Sequence, residues 1–82
     1  MAHPLVEWRT RHGLSRRAAA LAAKAPYSTW ANTELGIPSS VPVAVLALVE
    51  AVDGLDAADR LAGDYLRWRR EAGERLLAGM GA

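Results

Sequence analysis

Tyr27, Ser28 and Asn32 are the residues of this 82-residue chain whose types and spacing could do chemistry. At about 3.6 residues per turn they fall, with Ala31 and Leu35, on one side of a single helix, and Trp30 and Thr33 fall on the other. Asn can pair bidentately with adenine, Ser and Tyr can donate or accept single hydrogen bonds, and Ala31 could touch only a thymine methyl. A helix with one core-facing side and one hydrogen-bonding side suits the reading of base edges in a major groove. The same pattern also describes the solvated face of any surface helix. Arg16, Arg17 and Lys24 precede this stretch, and Ser39 and Ser40 follow it. Cations and hydroxyls at those borders could hold phosphates, or be ordinary solvated groups.

Other chemistry finds little footing. His3 and His12 have no third ligand nearby, so no metal site is expected. Asp53, Asp56 and Asp59 surround Gly54 without the spacing or closing bidentate Glu of a calcium loop, and read as helix-capping residues. No Ser–His pair has nucleophile-elbow context, and no glycine-rich phosphate loop follows a strand. A non-enzyme is expected, with no cofactor and no small-molecule substrate. The run Tyr65-Leu-Arg-Trp-Arg-Arg interleaves aromatics with cations, as single-strand stacking surfaces do. Its aromatics also lie at core spacing along a helix, which is the preferred account.

The polar stretch must be held by its neighbours. Ser15 is placed to cap a helix whose residues 16–23 are all Arg, Ala or Leu, strong helix formers. Pro26 disfavours continuation through Ala25 and suits the start of a second helix. Upstream, His3-Pro4 opens a first helix with Leu5, Trp8 and His12 on one face, and Gly13 stops it. Downstream, Ile37 to Ser40 form a loop, and Pro42 opens a run to Val52 with Val45, Leu46, Val49 and Val52 at helical spacing. Asp53-Gly54 ends that run. Asp56 then caps a last helix over about 57–78.

Residues 14–36 resemble the helix-turn-helix of the phage-repressor and Cro-like family, the XRE group. Without a gap, Leu14, Ser15, Ala20, Ala25, Ser28, Thr29, Trp30, Thr33, Glu34 and Gly36 fall where that family has identical or similar residues. Arg9, Gly13 and Pro38 extend the match, which covers about residues 5–53. Lys24 stands where the turn usually has Gly, Ala19 where Leu is usual, and Leu21 where a charge is usual. The resemblance implies an all-α, five-helix repressor-like domain. It further implies that Tyr27, Ser28 and Asn32 contact bases, and that Arg9 in the first helix pairs with Glu34 at the end of the recognition helix. The phosphate candidates, Arg16, Arg17, Lys24, Ser39 and Ser40, rest on their charge and position instead.

Composition fits one domain spanning residues 1–82, near the lower limit for a self-sufficient core. There is no Cys to staple it. No run approaches a membrane span and no signal-peptide pattern opens the chain, so a cytoplasmic, nucleoid-associated protein is expected. Net charge is only +1, yet residues 1–40 carry +3 and residues 41–82 carry −2. Basic charge therefore gathers around the motif. The last helix is longer than a small helical body needs. Leu61 and Tyr65 are expected in the protomer core, with Leu66, Trp68, Ala72, Leu76 and Leu77 meeting a second copy and Arg67, Arg70, Glu71 and Glu74 flanking that contact. The expectation is a sequence-specific regulator of transcription, a repressor, binding double-stranded DNA as a homodimer on a palindromic operator. A reading of another class is a protein-interaction module on the same fold, using Leu21, Leu35 and the last helix with little DNA binding.

Overall fold

The computed structural model describes residues 2–81, and those residues form five helices and no strand. They are α1 (Pro4–Arg11), α2 (Arg16–Ala22), α3 (Tyr27–Glu34), α4 (Val43–Asp53) and α5 (Leu55–Gly81). The chain is all-α, with α2 and α3 forming the helix-turn-helix and α5 extended. No helix among the described residues is long and apolar enough to cross a membrane.

The first three helices end in the same way. The amides of Gly13, Lys24 and Gly36 bond to the carbonyls of Thr10, Leu21 and Thr33, and the amides of Leu14, Ala25 and Ile37 to those of Arg9, Ala20 and Asn32. This is the Schellman closure, which requires positive φ at the residue after the cap. Gly13 and Gly36 adopt it freely at φ 68 and 78. Lys24 adopts it at φ 57, where the resembling family has Gly, at a cost of about 1–2 kcal/mol. The tight turn before α3 is therefore made by backbone hydrogen bonding rather than by residue choice.

Helix starts follow the sequence. The Ser15 hydroxyl accepts the Ala18 amide at 3.0 Å. His3 caps α1, its Nδ1 accepting the Leu5 amide at 3.1 Å, with Pro4 at the first helical position. Pro26 is the N-cap of α3 rather than its first residue.

The core gathers Leu5, Trp8, Trp30, Val45, Val49 and Tyr65 from four of the helices. Ala19 and Ala20 contribute the buried face of α2, small enough to let it pack closely. Two expectations are corrected by α4 and α5. Val52 is 51% exposed, and Asp53 beside it bonds back to α1 from the surface. Helix α5 starts at Leu55 and reaches Gly81, so Asp56 sits inside its first turn, near the positive end of the dipole, and not at its cap.

Ala58, Leu61 and Tyr65 bury the first half of α5, and the Tyr65 hydroxyl donates to the Pro38 carbonyl at 2.7 Å. Trp68 is also committed to its own protomer, which corrects its assignment to the partner contact. Its ring packs 4.2 Å from that of His3 and covers Gly36. Beyond it the helix runs on with Leu76, Leu77 and Met80 at least 65% exposed, stretching the molecule to 43 Å.

Gly36 is needed twice over: its φ is positive, and a Cβ there would lie 2.6 Å from Trp68 Cζ3. Gly36→Ala should lower unfolding free energy by about 2 kcal/mol or more in urea titrations, against ~1 kcal/mol for Gly13→Ala, which has the strained φ but open space.

Candidate nucleic-acid interface

Helix α3 has two faces, and the structure fixes which one points out. Trp30 and Thr33 are fully buried, and the Glu34 side chain is 1% exposed. Tyr27, Ser28 and Asn32 are exposed together on the opposite side, with Ala31 half-buried between them. The structure thus brings the three base-contact candidates onto one outward face.

What holds that face is the Glu34 carboxylate. Its Oε2 accepts from Arg9 Nε at 2.6 Å and from Trp30 Nε1 at 2.6 Å. Its Oε1 accepts from Arg9 Nη2 at 3.2 Å and from Arg16 Nε at 2.9 Å. Arg9 further donates to the Leu14 carbonyl at 3.0 Å, which pins the corner between α1 and α2. One carboxylate therefore joins α1, α2 and α3. Burial pushes the Glu34 carboxyl upward, but donors from Arg9, Arg16 and Trp30 outweigh it and hold the group below the usual Glu value. The pairing of Arg9 with Glu34 is present as a bidentate bridge. Arg16 joins the same carboxylate, although its type and place had suggested a phosphate ligand. Its side chain is about half exposed and also neighbours the Tyr27 hydroxyl.

The remaining phosphate candidates lie at the borders of the outward face. Arg17 and Lys24 are exposed on α2 and in the turn, and Ser39 and Ser40 are exposed in the loop after α3. That loop is anchored from α5, since Arg69 Nε donates to the Gly36 carbonyl at 3.0 Å and Tyr65 to that of Pro38. Leu21, Leu35 and Ile37 add exposed apolar surface beside the motif, at 73%, 67% and 61%.

Two positioning residues went unread in the sequence. His3 Nε2 donates to the Thr33 carbonyl at 2.9 Å, tying the last turn of α3 to the start of α1. Only its position before Pro4 hinted at a cap, and nothing local could reveal a contact 30 residues away. Asp53 accepts from Trp8 Nε1 at 2.7 Å and His12 Nε2 at 2.9 Å. These two bonds hold the Asp53 carboxyl below its ordinary value. Among the described residues no cluster of His, Asp and Glu could hold a metal ion. Comparison with family models, curated proteins and solved structures returned no match for this chain.

Removing one partner of a buried charge pair leaves the other unpaired and costs about 3–5 kcal/mol. Glu34→Ala should melt far below wild type by calorimetry, whereas an unchanged melting temperature would show the clamp to be idle. Stability should also depend on pH in two stages. Desolvation holds His3 below its ordinary 6.5, so from about pH 6.5 downward the unfolded chain binds the extra proton and folding weakens. Glu34, also lowered, adds a second loss of the same sign as pH falls from about 4.5 through its folded value. His3→Asn keeps a capping acceptor but should abolish the first stage alone in urea titrations run across this range.

Proposed function

We propose that this chain is a sequence-specific double-stranded DNA-binding regulator of transcription, a repressor of the phage-repressor and Cro-like kind. The observation that carries this reading is the outward face of α3. Tyr27, Ser28 and Asn32 share it, while Trp30, Thr33 and Glu34 lock the other side to the body. A rigidly held helix with grouped hydrogen-bonding side chains is what base reading in a major groove requires. Arg17 and Lys24 before it and Ser39 and Ser40 after it would grip the flanking phosphates and set its register. One such helix touches only a few base pairs, so the protein would act as a homodimer on a palindromic operator with half-sites about one turn apart. Its place would be the cytoplasm, on the nucleoid.

A second reading is favoured by Leu21, Leu35 and Ile37, which expose apolar surface where a DNA-facing motif more often carries polar groups. On it, the same fold would bind a partner protein and touch DNA little.

Selection of bound sequences from a random duplex pool, followed by salt titration of the winner, separates the two. DNA reading expects a log–log slope of about −0.9 per phosphate contact, and protein binding expects no enriched duplex. Asn32→Ala should stay folded, lose about 1–3 kcal/mol of operator affinity and relax one base pair per half-site. Arg17→Ala should weaken all duplexes alike and flatten the slope by about one contact. Equal losses on operator and random DNA from Asn32→Ala would remove that residue from base reading.

A further inference from the structure

His3 uses both of its ring nitrogens. Nδ1 accepts the Leu5 amide at 3.1 Å, and Nε2 donates to the Thr33 carbonyl at 2.9 Å. The ring also packs 4.2 Å from that of Trp68 and 5.7 Å from that of Tyr65. Those two residues of α5 hold the start of the loop after α3, since Trp68 covers Gly36 and the Tyr65 hydroxyl donates to the Pro38 carbonyl. One imidazole thus caps α1, ties down the last turn of α3 and backs the aromatics that fix the 36–40 loop.

We propose that His3 is a proton-operated latch: neutral, it holds the 36–40 loop in place, and a proton releases that loop while the rest of the fold stays formed. The neutral ring fits because it has one donor and one acceptor, each opposite its complement. The cation has two donors, and neither orientation of the ring removes its clash with the Leu5 amide. The surroundings divide. On α3, the Glu34 carboxylate favours a proton, although Arg9 and Arg16 already engage it. On α5, the Trp68 face favours a cation, the Tyr65 hydroxyl is neutral and engaged, and Arg69 adds like charge beside Tyr65. The carboxylates of Glu7 and Asp64 line a groove that starts at Pro4. Such attractions also act on a ring that has swung out, whereas the clash and the burial act only on a ring held in. The charged ring therefore leaves.

Release is local because neither the core nor the Glu34 clamp uses His3. Leu5, Trp8, Trp30, Val45 and Val49 stay packed, and Glu34 keeps Arg9, Arg16 and Trp30. The outward face of α3 therefore keeps its geometry. What loosens is the first turn of α1, Trp68 and the loop, whose far end carries the exposed Ser39 and Ser40. The consequence for function rests on the DNA-binding reading and adds a regulation to it. With Ser39 and Ser40 as phosphate donors, mild acid weakens the grip on the DNA backbone and leaves base preference unchanged. A bare gain of positive charge would do the reverse and strengthen binding to every duplex, so the sign decides between them.

The test is a titration of the full chain without DNA from about pH 7.5 to about 5, a range that spans the ordinary imidazole value. Amide and His3 ring signals are followed by NMR, and helix content by circular dichroism. The His3 ring and the amides of Leu5, Gly36 and Ile37 should shift together with one midpoint below 6.5. The amides of Val45 and Val49 and the helix signal should stay still. His3→Asn, neutral and still able to cap, should remove the transition. His12→Asn changes the only other imidazole of the chain and should leave it in place. Gly36 and Ile37 amides that ignore the His3 titration, or helix content lost along with it, would overturn the latch. On an enriched duplex and on random DNA alike, the same acid step should weaken binding by about three- to tenfold. Stronger binding in acid, or a loss confined to the enriched duplex, would overturn the release of phosphate contacts. A chain that enriches no duplex would sink the DNA reading, and the NMR titration would still decide the latch.

Discussion

A buried carboxylate that receives four donors is the constraint on which this small fold depends. Glu34 has only two oxygens, and each accepts two hydrogen bonds, from three residues on three helices. An isolated carboxylate in that position would be protonated or expelled. The two arginines supply more positive charge than the site needs, so the charged form survives burial. The arrangement also has direction. Arg9 meets the carboxylate bidentately, and the Trp30 indole donates from one turn earlier on the same helix, so α3 can neither rotate nor slide without breaking several bonds together. Buried ion pairs are weak sources of net stability, but they discriminate strongly between packings.

Discrimination matters here because the core is small and three of its eleven buried apolar members are alanines. Apolar contact alone would leave the helices poorly fixed in angle. Polar junctions supply what volume does not. Asp53 joins the end of α4 to Trp8 and His12, and His3 bridges the start of α1 to the end of α3. The His3 ring achieves this with one proton, on Nε2, since Nδ1 must accept the Leu5 amide. Protonation would place a donor against a donor, which agrees with the direction in which burial moves the group.

Much of this architecture was legible in the sequence, because it rests on local rules. Ser15, Gly13 and Gly36 carry their helix-terminal roles in their residue types, and the spacing of Val45 and Val49 gives the buried face of α4. The Arg9–Glu34 pair was legible only through a resemblance, since no local rule relates residues 25 positions apart. Arg16 misled for a physical reason. A cation in the first turn of an exposed helix looks solvated until the fold places a buried carboxylate beneath it. Val52 and Asp53 misled in a related manner, because hydrophobic spacing cannot foresee that an indole and an imidazole donor from α1 and its cap will meet the acid that ends α4. Trp68 was assigned outward on the length of α5, whereas the gap above Gly36, which nothing in α5 itself reveals, draws it in.

The clamp also shapes the electrostatics of the outward face. Arg9 and Arg16 carry much of the positive charge of the first forty residues, and both turn to Glu34. Arg17 and Lys24 are exposed beside α3 outside that clamp, Arg16 keeps only about half of its side chain exposed, and Ser39 and Ser40 are neutral donors. Each phosphate contact adds about one unit to the salt slope, so a protomer with so few cations should hold nonspecific duplex weakly. In a DNA-reading protein that weakness lowers the background against which an operator is found, because specificity is the ratio between the two affinities. Affinity must then come from well-aligned base contacts and from doubling them across a twofold axis. On the proposed DNA-binding reading, a rigidly held α3 and a long second half of α5 would serve those two demands, and the arginines bound to Glu34 would secure the first of them.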